Sequence, residues 1–349
     1  MRVGQTPITR RGLGAAVISA LSVAGQTAQE HPIIRPRALK PGDTVGLITP
    51  STFVSDPDTL ALAQRTVDYF QLKAKWGKNV RRRAGYLGGS IEERLDDLHA
   101  MFRDPEVAAV FAIRGGYGSA QLLDRIDYNL IRTHPKIFVG YSDITALHLA
   151  IHQKTGLVTF HGPVVLSRFT DYTLQHFRAA LFETKPLGPL TNPPDTNALR
   201  PSHTLRTVHA GKARGRLIGG NLTLISTTLG TPWEIDARGR ILFIEDVGEE
   251  PYRIDRMLTQ LRLAGKLQSA AGIVFGECAD CGPRDYQPSF TNTFTLGEII
   301  DQILGPLNVP VLSGLTIGHT SDQLTLPEGV LVTLDADRQQ LILEESALS

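Results

Sequence analysis

From position 37 to 169 apolar runs and amphipathic runs alternate along the chain. DTVGLITPS (43–51), PEVAAVFAI (105–113), KIFVGYSD (136–143) and LVTFHGP (157–163) each hold a short apolar core bounded by polar or turn residues, the pattern of a buried strand. Between them, DPDTLALAQRTVDYF (56–70), GGSIEERLDDLHAMF (88–102), SAQLLDRIDYNLI (119–131) and ITALHLAIHQKTG (144–156) place apolar residues at helical spacing. Ser90 with Glu93 three residues later reads as a capping box that opens the second of these helices. Strands alternating with helices at short spacing predict an α/β domain with a parallel sheet covered by helices. Residues 170–202 form the connection, and LGPLTNPPDTNALRPSHT (187–204), rich in Pro, Asn and Thr, predicts little structure. From 203 to 349 strands dominate: ARGRLIGGNLTLISTTLGT, GRILFIEDVG, AAGIVFGEC, and GVLVTLDADRQQLILEE as a hairpin around DADR. One helix, EPYRIDRMLTQLRLAG, interrupts this β-rich second domain.

The first residues follow another plan. A basic start is followed by a mostly apolar stretch from Gly12 to Gly25 and then by small residues, which is the plan of an export signal over 1–28. Arg10–Arg11 after Thr9 resembles a twin-arginine signal, which sends folded proteins to the periplasm. The apolar stretch is too short for a stable membrane anchor. The whole chain has 36 basic and 35 acidic residues, a net charge of +1 that gives no reason to expect nucleic acid. Cys278 and Cys281 form CADC without two further ligands at zinc-finger spacing, so this is read as a loop feature, and no metal or organic cofactor is implied.

AIRGGYGSAQLL (112–123) puts a glycine-rich turn between a strand and a helix. It fits neither phosphate-binding pattern, G-x-x-x-x-G-K-[ST] or G-x-G-x-x-G. A plain tight connection and a nucleophile elbow remain, the latter with Ser119 on the turn and a helix N-terminus offering N–H groups to an oxyanion. The G-x-S-x-G form is absent there, because Tyr117 stands two before Ser119. A serine nucleophile needs a base and an orienting carboxylate. His161 and His319 each follow a strand-like run into a loop, and Glu245 and Asp246 end a buried strand where an unpaired carboxylate would be costly.

RGGYGS, GYSDITALH, HGP, IGGNL, FIEDVGEEPYRIDRMLTQL and IGH…LTLP, in this order over roughly 38–345, resemble the LD-carboxypeptidases, a serine peptidase family that includes the microcin C self-immunity peptidases. The resemblance implies a nucleophile on the α/β domain and a Glu and a His on the β-rich domain, with the site between them and no cofactor. It places these roles on Ser119, Glu245 and His319, with Ser142 left to hydrogen bonding at a strand end. Gly116 and Ala120 are the expected oxyanion donors, and Arg114 either binds the substrate carboxylate or braces the turn. The implied reaction removes terminal D-Ala from a peptidoglycan tetrapeptide. The alternatives are a peptidase of the immunity type, acting on peptide or acyl-sulfamoyl nucleotide conjugates, and a non-catalytic muropeptide-binding protein. A homodimer is also implied. Cytoplasmic recycling members of the family carry no export signal, so the signal here favours a periplasmic murein peptide substrate.

Overall fold

The computed structural model describes residues 31–194, 197, 199 and 201–349. The export signal expected over 1–28, with Arg10 and Arg11, lies outside them. Among the described residues no helix is long and apolar enough to cross a membrane.

The first half runs β1 (Thr44–Ile48), α1 (Pro57–Tyr69), β2 (Lys73–Trp76), α2 (Ile91–Arg103), β3 (Val107–Ala112), α3 (Tyr128–Thr133), β4 (Ile137–Gly140), α4 (Thr145–Thr155), β5 (Phe160–His161) and α5 (Asp171–Phe182). The capping box of Ser90 and Glu93 forms at the start of α2. The stretch read as one helix from Ser119 is instead a 3-10 segment, Ser119–Arg125, followed by the short α3.

The second half runs β6 (Gly188–Leu190), β7 (Arg206–His209), β8 (Lys212–Asn221), α6 (Leu222–Thr227), β9 (Ile241–Val247), α7 (Pro251–Leu263), α8 (Lys266–Ser269), β10 (Gly272–Ala279), α9 (Leu296–Ile303), β11 (Val311–Leu315), β12 (Leu326–Pro327), β13 (Leu331–Asp335) and β14 (Gln340–Leu343). The connection is more structured than its composition predicts, since α5 and β6 both lie in it. The hairpin around DADR forms between β13 and β14.

Two sheets result. The first has the order β12-β5-β4-β3-β1-β2; it is parallel from β5 to β2, and β12 adds antiparallel at the edge. The second has the order β6-β14-β13-β8-β9-β10-β11-β7, with a parallel centre of β8 to β11 and antiparallel flanks. The first half is therefore the parallel α/β domain, and the second is sheet-rich.

Three apolar clusters hold the layers together. One joins Leu47, Phe111 and Val139 of the first sheet to Leu217, Phe243 and Leu312 of the second. A second packs Ile254, Leu258 and Ile299 of α7 and α9 on Leu242, Ile273 and Phe275. A third packs Leu98 and Phe102 of α2 and Leu147 and Ile151 of α4 on Val110 and Phe138. The carboxyl ends of the parallel strands are where α/β sheets form crevices. The loops after β3 and β4 open at that end of the first sheet.

Candidate active site

β4 ends at Gly140, Tyr141 follows, and the chain turns sharply at Ser142 into a 3-10 turn (Ser142–Ile144) that continues as α4. Ser142 has φ +65°, the left-handed region that a non-glycine residue occupies at a cost. Such strain persists only where neighbours over-determine it. One neighbour is Gly115: a Cβ there would stand 3.1 Å from the Ser142 Cβ, so the glycine lets the β3 turn lie directly against the serine.

The second half brings two further groups to this point. β9 carries Glu245 into a fully buried position. The loop after β11 carries His319, and Gly318 before it has φ +82° with its Cα against Glu245; a Cβ there would lie 1.9 Å from Glu245 Oε2. His319 Nδ1 donates to Glu245 Oε2 at 2.8 Å, and Ser142 Oγ donates to His319 Nε2 at 3.0 Å. The tautomer follows from the carboxylate, which can only accept. Burial raises the Glu245 carboxyl above its usual range, and the His319 hydrogen bond opposes that rise. The Tyr141 ring lies 4.8 Å from the His319 ring, and burial raises its phenol.

This geometry corrects the expectation for Ser119. Ser119 is fully buried, and its Oγ donates to the carbonyl of Asp143 at 2.5 Å, not to a histidine. Its N–H donates to Asp143 Oδ2 at 2.8 Å, and the Gly118 N–H and Ser51 Oγ donate to the same carboxylate. Arg94, buried on α2, fixes the other side of the turn by donating to the carbonyls of Pro50 and Gly118. The RGGYGS turn is thus a clamp on the residue that follows Ser142. The physical reason is local: Ser119 turns its hydroxyl inward onto the Asp143 carbonyl, whereas Ser142, at positive φ just after β4, presents its hydroxyl to His319.

An open cleft of about 450 Å³ adjoins the serine; Arg114, Gly116, Tyr141, Leu166 and Ser167 line it together with Ser142 and His319. Gly116 and Arg114 both line the cleft. Ala120 is exposed beyond it, on the 3-10 segment, and is corrected as an oxyanion donor. Asp246, beside Glu245, does not face the cleft network; it accepts from Asn221 Nδ2 and from the Thr223 N–H and hydroxyl. His161 is fully buried, its ring 5.1 Å from Phe243, and burial pushes its imidazole well below the usual range. Cys278 and Cys281 are joined by a disulfide at the end of β10. Among the described residues no cluster of three or more His, Cys, Asp or Glu is arranged to hold a metal ion.

From the sequence, Ser142 takes only the lesser role of hydrogen bonding at a strand end. A signal for the greater one was present: GYS is the first half of G-x-S-x-G, directly after an apolar strand and before a long helical pattern.

Residues 45–162 match the LD-carboxypeptidase N-terminal domain and residues 214–334 its C-terminal domain. A probable murein peptide carboxypeptidase of Bacillus subtilis is 44% identical over 310 residues, covering 89% of this chain and 94% of that protein. Among solved structures, the microcin C7 self-immunity protein MccF superposes with a TM-score of 0.81 at 28% identity, covering 90% of this chain and 100% of that one. Muramoyltetrapeptide carboxypeptidase from Oxalobacter formigenes gives 0.74 at 30% identity, covering 87% and 99%.

Proposed function

The chain belongs to the LD-carboxypeptidase family of serine peptidases, and from that premise we propose that it releases the terminal D-Ala of peptidoglycan tetrapeptides with Ser142 as nucleophile, His319 as base and Glu245 as orienting carboxylate. The carrying observation is the unbroken hydrogen-bond chain from Ser142 through His319 to Glu245, at 3.0 and 2.8 Å.

Ser142 Oγ attacks the scissile carbonyl while His319 Nε2 takes its proton. Glu245 stabilises the imidazolium so formed. The oxyanion is met by backbone N–H groups beside the serine, for which Gly116 of the turn after β3 and Asp143 of the strained turn are the candidates, the latter near the positive end of the α4 dipole. Collapse breaks the C–N bond, and His319 returns the proton to the departing amine. Water, deprotonated by the same imidazole, then hydrolyses the acyl-enzyme. Arg114 at the cleft supplies a cation for the free carboxylate of the D-Ala. The test is mass spectrometry of purified protein with L,D-tetrapeptide: loss of one alanine, unaffected by a chelator, supports the reading. Binding without turnover would favour a muropeptide-binding protein.

The closer superposition with MccF favours a second reading, cleavage of peptide or acyl-sulfamoyl nucleotide conjugates. The higher sequence identity to the murein peptide enzyme weighs for the first. Export to the periplasm by the twin-arginine route rests on the sequence of residues 1–28. With Arg10 and Arg11 both changed to Lys, export should fail; normal periplasmic accumulation would exclude this route. A homodimer is carried from the family resemblance alone, and sedimentation tests it.

A further inference from the structure

The loops that follow the parallel strands of the first sheet carry an aromatic row that the reaction above does not use. Along the sheet the order is β4, β3, β1, β2. Ser142 follows β4, Tyr117 follows β3, Phe53 follows β1 and Tyr86 follows β2, all beyond the carboxyl ends of their strands. Tyr117 and Tyr86 are 56% and 59% exposed, and their rings meet edge to face at 5.6 Å. Arg83 lies over the Phe53 ring at 4.3 Å.

The row is built into the backbone. The Tyr117 N–H donates to Thr52 Oγ1, Thr52 bridges Leu87, and Leu87 bridges Ala84, so the loops bearing all three rings are tied together. Large exposed apolar groups held rigidly beside a cleft mark a binding surface. Tyr suits that use because it offers a stiff, amphipathic face at low entropy cost.

Position selects the occupant. Gly115 touches Ser142, and Tyr117 follows two residues later, so its Cα lies within about 8 Å of that contact. The Tyr86 ring stands 5.6 Å from the Tyr117 ring, one step farther along the row. In a murein tetrapeptide three residues separate the attacked carbonyl from the sugar, and extended chain covers about 10–11 Å in three residues. The saccharide then falls over Tyr117 and Tyr86. We propose that these two rings form a subsite for the saccharide of a glycan-linked tetrapeptide, with Arg83 facing the stem's carboxylates. This rests on the murein-peptide reading above.

The test compares kcat/KM for disaccharide-tetrapeptide and for sugar-free tetrapeptide. The wild type should prefer the disaccharide form through KM. In Tyr86→Ala/Tyr117→Ala that preference should fall about tenfold, the effect of losing an aromatic contact, while Tyr86→Trp/Tyr117→Trp retains it. Both rings are exposed, so an unchanged melting temperature checks folding. If the wild type cleaves both substrates and the preference is absent, or survives in the alanine variant, the subsite is overturned and the murein-peptide reading stands. If it cleaves neither, that reading falls and the subsite with it. Inhibition by adenosine monophosphate that disappears in the alanine variant, with the substrate preference unchanged, would give the rings to a nucleobase and also overturn the proposal.

Discussion

At the scale of single residues, the site depends on which serine hydroxyl is free to meet an imidazole. Ser119 follows a glycine-rich turn after β3, Ser142 follows β4 almost directly, and each opens a 3-10 segment. Ser119 spends its hydroxyl on the Asp143 carbonyl, whereas Ser142 presents its own to His319. Glu245 and His319 were legible because a carboxylate ending a buried strand needs a partner and a histidine in a loop can supply one. The choice between the serines was not, because it depends on the sign of φ at one residue and on contacts between distant loops. Replacing Glu245 by Gln keeps the shape of the contact but removes the charge that stabilises imidazolium. We expect kcat to fall at least a hundredfold with KM changed by less than threefold; steady-state kinetics would count against the assignment if KM rose and kcat held.

At the scale of elements, α4 carries the pH dependence of stability. Nine of its eleven residues are buried, which explains why its pattern is apolar nearly all round. Two of the nine are His148 and His152, whose ring N–H groups donate to the carbonyls of Gly140 and Leu157, and burial lowers each to about 4. In the unfolded chain each titrates near about 6.5, so unfolding takes up protons between these values. The stability they contribute is complete above about 6.5 and is lost as pH falls toward 4. Glu245 and Glu328, raised by burial, act with the opposite sign, so the histidine contribution is best read as a difference. In denaturant titrations from pH 6.5 to 4, wild type should lose stability more steeply than His152→Gln, by up to about 1.4 kcal/mol per pH unit. Identical slopes would show that His152 does not titrate with unfolding. The strand–helix alternation of this half was legible because each element is long enough to show its period. β12 was not, because two residues have no period, and β6 sits in a segment whose Pro and Asn content argues for loop.

At the scale of the whole molecule, the site is assembled from both halves. The first sheet provides the strained Ser142 and the clamp behind it, and the second half provides His319 and Glu245. β12 pairs with β5, and one apolar cluster spans both sheets, so the two sides of the hydrogen-bond chain share a common core. That shared core could not be read from periodicity, which reports the buried face of an element but not what covers it. The most direct measurement of the central claim is turnover of L,D-tetrapeptide by Ser142→Ala beside Ser119→Ala, each confirmed folded by its thermal transition. Ser142→Ala should lose at least a thousandfold in kcat/KM. Ser119→Ala loses one buried hydrogen bond, which costs about 1–2 kcal/mol of stability, and should retain turnover within about tenfold. Full loss in Ser119→Ala with turnover preserved in Ser142→Ala would contradict the account.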